Sequence, residues 1–243
     1  MLVIKRGTAF VTFVFMSHLL LLHGALGSQE QFADLKDELA QDFTVDTLSF
    51  SGHGRAISLQ YAFTIQNCCH EVLNYLNDKQ RLKTDIFGHS MGGYVALWLA
   101  RFYPARVGKI FTLGTKLEWN EAIAEKAAIV LNPEKIAAKV PAYAQELQDR
   151  HGDHEWHSVL HKTAHMLNDL GKHHVTDSDF RQIKSEILLG LGDGDNMVTS
   201  EETKHVGTLL PNAKFVELKD TPHSIDKVQV PLLSKEMRAF FKQ

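Results

Sequence analysis

The residues best suited to chemistry lie in Gly88-His89-Ser90-Met91-Gly92, a G-x-S-x-G pattern. A serine in that pattern becomes useful on a sharp strand-to-helix turn, which lifts its hydroxyl clear of a sheet; glycine on either side leaves room for the turn. Asp85-Ile86-Phe87 reads as the strand, and Met91 to Tyr103, stopped by Pro104, reads as the helix. Ser90 is therefore the expected nucleophile. A hydroxyl is a weak nucleophile near neutral pH and needs a base held by a third group. His223, in Asp220-Thr221-Pro222-His223-Ser224, follows the last apolar run and is the candidate base. Two acids precede it in Gly192-Asp193-Gly194-Asp195-Asn196, and the chain order serine, acid, histidine suits both. Asp195 is preferred because three turn residues separate it from the expected strand and let it reach across. Asp193 is left to cap or order the turn. Two backbone N–H groups are expected to meet the negative charge on the attacked oxygen, Met91 after the nucleophile and Ala25 in His23-Gly24-Ala25. His23 is expected to order that loop rather than to move protons, and His53, between two glycines, to brace the nucleophile turn or its own loop.

The elements that must position these groups alternate. Leu19-Leu20-Leu21-Leu22 suits a strand buried on both faces. Ser28 suits the N-cap of a helix to about Ala40. A strand over Phe43–Phe50 and a helix over Ala62–Asn77 follow, the latter holding Cys68 and Cys69 as packed thiols. Val107–Leu113 is a strand; from about Thr115 to Phe180 the pattern is helical only. Strands at Ile187–Leu189 and Lys214–Leu218, with helices at Glu201–Leu210 and Pro231–Phe241, close the chain. This rhythm predicts an α/β fold: a mostly parallel sheet with helices on both faces, in which residues 16–114 and 184–243 form the core. Residues 115–183 form a helical cap inserted after the strand ending near Leu113, over the carboxyl ends where open α/β sheets bind ligands. Trp119 and Trp156 are the expected substrate contacts, with Trp156, Met166 and Leu167 either facing the cavity or packing the cap onto the sheet.

Composition narrows the function classes. Twenty-six basic against 29 acidic residues leave a net charge of −3 with no basic stripe, which argues against a nucleic-acid partner. The two cysteines are adjacent, so no ordinary structural disulfide is available, and a reducing, cytoplasmic setting is expected. Residues 1–15 are an extension of open standing. Lys5 and Arg6 before an apolar run, with Ala25-Leu26-Gly27 behind it, have the outline of a secretory signal. The competing reading makes Leu19–Leu22 a core strand and His23–Gly27 part of the site, in which case cleavage would remove working parts. Met16 as the true start is a third reading. No membrane partner is expected.

The four motifs His23-Gly24, Ser51-Gly52-His53-Gly54, Gly88-His89-Ser90-Met91-Gly92-Gly93 and Asp195…His223, in that order, resemble the α/β-hydrolase superfamily from His18 onward. The resemblance implies acyl-transfer chemistry on a small-molecule substrate without a cofactor. One departure concerns the start: members usually carry two more strands before the His-Gly loop, and only about 17 residues precede it here. Lys5-Arg6-Gly7-Thr8 suits a small hairpin; a shortened sheet starting at His18 is the alternative. His151, His154, His157, His161 and His165 recur at spacings of three and four, so most would share one helical face. Histidines at i and i+4 can bind zinc, but His154-Glu155-Trp156-His157 is not the H-E-x-x-H signature, and a polar cap face is the preferred reading, with no metal. The expected activity is that of a serine hydrolase on an ester-like carbonyl. The same machinery could cleave C–C bonds, lactones or thioesters. The His23–Ser28 loop also resembles that of the menaquinone-pathway synthase, which however carries a basic residue where Gly93 and Tyr94 stand. A non-catalytic ligand-binding protein on this scaffold is the reading from another class.

Overall fold

Leu19, Leu20, Leu21 and Leu22 have no solvent exposure, and consecutive side chains of a strand point to opposite faces. Leu20 and Leu22 enter one apolar cluster, Leu19 and Leu21 another. The sheet therefore has a core on each side, and this strand lies deep within it. A computed structural model describes residues 16–56 and 61–243 in full, and residues 2–6 and 9–13 by backbone alone. Gly7 and Thr8, at the expected hairpin turn, lie outside the described residues.

Strands β1 (Leu2–Arg6) and β2 (Ala9–Phe13) pair antiparallel as a small sheet of their own. The main sheet starts at β3 (Ser17–Leu22). It continues with β4 (Phe43–Leu48), β5 (Thr84–His89), β6 (Val107–Leu113), β7 (Ile187–Gly194) and β8 (Ala213–Pro222). Its order is β4-β3-β5-β6-β7-β8, with every pair parallel. The sheet grows outward from β3 to β4, then in the other direction from β5 to β8. Such a reversal opens a crevice at the carboxyl ends of the two strands beside it, here β3 and β5.

Helices α1 (Ala33–Leu39), α2 (Ile65–Asp78) and α3 (Met91–Phe102) connect the first strands, and α9 (Ser200–Leu209) and α10 (Val230–Phe241) the last. The cluster with Leu19 and Leu21 collects Leu35, Leu39, Met237 and Phe240 from α1 and α10. The other collects Val72 and Leu76 from α2 and Val95 and Leu99 from α3. Between β6 and β7 come α4 (Glu121–Ile129), α5 (Pro133–Lys139), α6 (Pro141–His151), α7 (Glu155–Lys172) and α8 (Asp177–Phe180). Asn120, Asn132 and Thr176 cap α4, α5 and α8 by accepting from backbone N–H groups, and Pro133 and Pro141 stand in first turns, where a missing N–H costs nothing.

Three elements differ from the sequence reading. The helix expected from Ser28 is a 3-10 turn, Gln29–Phe32, followed by α1. Strand β7 runs to Gly194 and β8 to Pro222, both well past their apolar cores. Glycines at 190, 192 and 194 and charges at 217, 219 and 220 erase the apolar signal there, yet the two strands still pair from Ile187↔Ala213 to Gly194↔Pro222. Asp195 consequently follows directly on the strand, not after three turn residues.

Phe87 is fully buried at the centre of β5, edge-on to Phe32 at 6.0 Å and to Phe111 at 5.5 Å between ring centroids. Phe87→Ala should lower unfolding free energy by about 3–5 kcal/mol, read from urea denaturation; a loss below about 1 kcal/mol would contradict this packing.

Candidate active site

Ser90 adopts φ 50°, ψ −116°, a conformation of order 1–3 kcal/mol above the ordinary wells that persists only when its surroundings impose it. Those surroundings are visible. Ser90 N–H donates to Leu113 O at 2.8 Å, and Thr115 Oγ1 donates to Ser90 O at 3.0 Å, both from the end of β6. A Cβ at Gly88 would run into the backbone of Gly92 and Gly93, and one at Gly92 into the carbonyls of Leu22 and His23. The turn from β5 into α3 can close this tightly only without those side chains.

His223 follows directly on β8. Its Nδ1 lies 2.8 Å from Asp195 Oδ2. A carboxylate only accepts, so Nδ1 carries the hydrogen and Nε2 keeps its lone pair when the ring is neutral. The other oxygen, Asp195 Oδ1, accepts from Met197 N at 2.8 Å and Val198 N at 3.0 Å. Burial opposes the charge on Asp195, but the His223 contact and these two amides outweigh it and hold the carboxyl below its ordinary range. Asp193 instead accepts from Thr221 N at 3.3 Å, joining β7 to β8.

Ser90 and His223 line one cavity of about 700 Å³, which Ala25, Met91 and Trp119 also line. Among the described residues, the N–H groups of Ala25 and Met91 have no protein acceptor. Gly24 lies so close to the nucleophile that a Cβ there would sit 3.1 Å from Ser90 Cβ. Trp119 is fixed by its Nε1–H, which donates to Lys116 O at 3.1 Å. Trp156 does not line this cavity. It is buried in the first turn of α7 against His157, roughly 10 Å along the axis from Thr163, the first residue of that helix to reach the cavity. Met166 and Leu167, farther along α7, do line it.

His157, His161 and His165, spaced four residues apart, share one exposed face of α7, with exposed His154 just before its first turn; His151 does not belong to that face. Helix α6 ends at His151 and α7 begins at Glu155, so the phase is lost between them. His154, His157, His161 and His165 are exposed, whereas His151 is buried. It packs near His53, which in turn lies near His23, with ring centroids 5.8 and 5.1 Å apart. His23 Nδ1–H donates to Gly24 O at 2.7 Å, and its Nε2 accepts from Phe50 N at 3.1 Å. His53 Nδ1–H donates to Ser51 O at 3.2 Å while its ring stacks on Phe63.

One neighbour of the site has no role in the sequence reading although it stands inside the serine motif. His89 Nε2–H donates to the backbone oxygen of His223 at 2.8 Å, tying the elbow to the loop that carries the imidazole. Its position beside Ser90 was the available signal; its partner, 134 residues away, was not.

A family profile described as alpha/beta hydrolase fold matches residues 17–155. The chain belongs to the α/β hydrolase fold family. Its relatives within and near that family are distant. The protein named "Putative carbamate hydrolase RutD" from Pseudomonas syringae pv. syringae (strain B728a) is 26% identical, over 91% of this chain and 92% of its own. The pimeloyl-[acyl-carrier protein] methyl ester esterase of Neisseria meningitidis is also 26% identical, over 88% and 71%. The crystal structure of the enol-lactonase from Burkholderia xenovorans LB400 superposes with a TM-score of 0.76 at 16% identity, over 95% of this chain and 93% of that one, a likeness of fold. Family and relatives alike support hydrolase activity for this α/β hydrolase.

Burial drives the imidazoles of His23 and His151 down to about 4 and holds that of His53 well below its usual value. Burial, then repulsion from His223, takes His89 to about 3. An unfolded histidine titrates near 6.5. As pH falls below that value the unfolded chain takes up protons that the folded chain refuses, so stability is complete above about 6.5 and drains away toward pH 4. The urea midpoint should be lower at pH 5.0 than at pH 7.5. An identical midpoint at both would mean these four rings are not buried and neutral.

Proposed function

We propose that this α/β hydrolase is a serine hydrolase that cleaves an ester-like carbonyl through an acyl-enzyme on Ser90. The observation that carries the proposal is the Asp195–His223 contact of 2.8 Å beside a cavity that His223 shares with a backbone-strained serine. Asp195 fixes the imidazole tautomer and stabilises its protonated form. His223 Nε2 takes the proton of Ser90 as Oγ bonds to the carbonyl carbon, and the carbonyl electron pair moves onto oxygen. The N–H groups of Met91 and Ala25 receive that charge. Collapse expels the leaving group, which takes the proton from His223. Water then gives a proton to His223 and attacks the acyl carbon; collapse releases the acid while His223 returns that proton to Ser90 Oγ, freeing the serine.

The helices of residues 115–183 act in this reading as a cap over the strand ends, and Trp119 helps to set substrate shape. The cavity is lined mainly by apolar groups such as Leu131, Ile136 and Leu170, and exposed Val130, Val140 and Met197 stand at its margin. That suits a small molecule with an apolar acyl or alcohol part. The carbonyl of a carbamate, the bond named for RutD, is open to the same attack. No cofactor enters any step. Among the described residues no helix is long and apolar enough to cross a membrane, and Cys68 and Cys69 are both free and buried, which suits a cytoplasmic setting.

p-Nitrophenyl esters of graded acyl length, a p-nitrophenyl carbamate and a fluorophosphonate label test the reading. Ser90→Ala should abolish turnover and labelling, and Asp195→Asn should cut kcat by about 10⁴, whereas Asp193→Asn should cost far less. Labelling that persists in the alanine variant would sink the assignment. A wild-type chain that neither turns over nor labels would point to a binding protein on the same scaffold.

A further inference from the structure

The proposed oxyanion donor Ala25 sits in a turn closed by Gly27 N–H donating to Gly24 O at 3.0 Å. The next residue, Leu26, has φ 60°, a left-handed backbone that this turn position normally reserves for glycine or asparagine. A leucine stays there only when its neighbours over-determine it. Here both lone pairs of its carbonyl are engaged, and both donors come from the last turn of α6. Arg150 Nη1 donates to Leu26 O at 3.0 Å, and His151 Nε2 donates to the same oxygen at 3.0 Å. Since a carbonyl can only accept, the hydrogen of His151 is on Nε2; its Nδ1 then accepts from Gly54 N at 3.0 Å. His151 therefore bridges the loop after β3 to the loop after β4.

Arg150 reaches a second wall of the site. Its Nη2 lies 3.3 Å from Asp226 Oδ2, three residues past His223. Asp226 Oδ2 also accepts from Gln31 Nε2 at 2.6 Å, and Gln31 Oε1 accepts from Ser28 N at 3.0 Å. One helix end thus holds the loop bearing the Ala25 N–H and the loop bearing His223. Nothing in a run of surface-like histidines marks this role.

We propose that Arg150 and His151 are positioning residues that latch the helical insertion onto the oxyanion loop and fix the direction of the Ala25 N–H. The proposal rests on the Ser90 reading. When the latch opens, Leu26 relaxes out of its left-handed conformation, the Gly24–Gly27 turn reorients, and the developing oxyanion loses one donor. The insertion in this scheme shapes the cavity and also holds the catalytic constellation together.

The test uses the full chain with His151→Phe, His151→Gln and Arg150→Met. Phenylalanine keeps the ring volume without hydrogen bonds. Glutamine can still donate to Leu26 O and accept from Gly54 N. For p-nitrophenyl butyrate, His151→Phe and Arg150→Met should lower kcat by about tenfold or more, short of the 10²–10³ that outright loss of a donor costs, while KM stays within about twofold. His151→Gln should recover most of the rate. Amide hydrogen exchange across residues 23–31 should quicken in the first two variants and return toward wild type in the third. A folded His151→Phe with unchanged kcat and exchange, a loss confined to KM, or a His151→Gln as slow as His151→Phe would each overturn the latch. If His151→Phe does not fold, Arg150→Met decides by the same readings. If Ser90→Ala retains full turnover, the Ser90 reading fails, and exchange at residues 23–31 still judges the latch: unchanged protection overturns it.

Discussion

The backbone of Ser90 is the constraint on which much of the molecule turns. A residue at φ 50°, ψ −116° has to be held there, and the holding groups come from three neighbouring strands. The carbonyl of Leu113 and the hydroxyl of Thr115 grip the serine from the end of β6, Gly92 presses against carbonyls at the end of β3, and β5 delivers the chain into the turn. Those three strands are adjacent and parallel, so their carboxyl ends lie together. Apolar packing on both faces of the sheet stabilises the arrangement, with Leu20, Leu22 and Ile86 on one side and Leu19, Leu21 and Phe87 on the other. The strain at one residue is offset by the burial of many.

Electrostatics around the elbow follow from burial. A charged imidazole inside an apolar core is costly, so the buried histidines stay neutral and use ring nitrogens as ordinary donors and acceptors for backbone groups. His23 holds the turn at Gly24, His53 the loop at Ser51, His89 the carbonyl of His223, and His151 both Leu26 and Gly54. Loops at the ends of β3, β4, β5 and β8 are thereby tied to each other and to the inserted helices. Asp195 is treated differently because its charge is met on both oxygens, by an imidazole on one side and two amides on the other. In the proposed mechanism this retained negative charge is what makes the transient imidazolium affordable.

Legibility in the sequence tracked local periodicity. The serine elbow and the buried leucine strand each have a signature confined to a dozen or so residues, and the insertion repeats a helical signature along its length, because one turn type or one repeat enforces it. Where side chains do not report the structure, the reading failed. The distal half of β7 is glycine-rich and that of β8 is charged, so their pairing out to Gly194 and Pro222 left no apolar trace. The histidine run kept its three-and-four spacing across a helix break at Gly152–His154, which put His151 inside the protein and its later members outside. For Trp156, expected as a substrate contact and otherwise as a packing residue of the insertion, the first turn of α7 leaves the packing role: it lies in the core.

The amino-acid string by itself determined the alternation of strands and helices, the tight turn around residue 90, and an acid and a histidine that follow in the right order. These are properties of short segments, set by dihedral preferences and by which faces must be apolar. Only the folded chain decided which carboxylate meets the imidazole, that His89 supports the loop of His223, and that Arg150 and His151 converge on one carbonyl 124 and 125 residues away. Hydrogen bonds of that kind depend on angstrom-scale distances between segments remote in sequence. Such distances are fixed by packing of the whole sheet and its helices, and no local pattern encodes them.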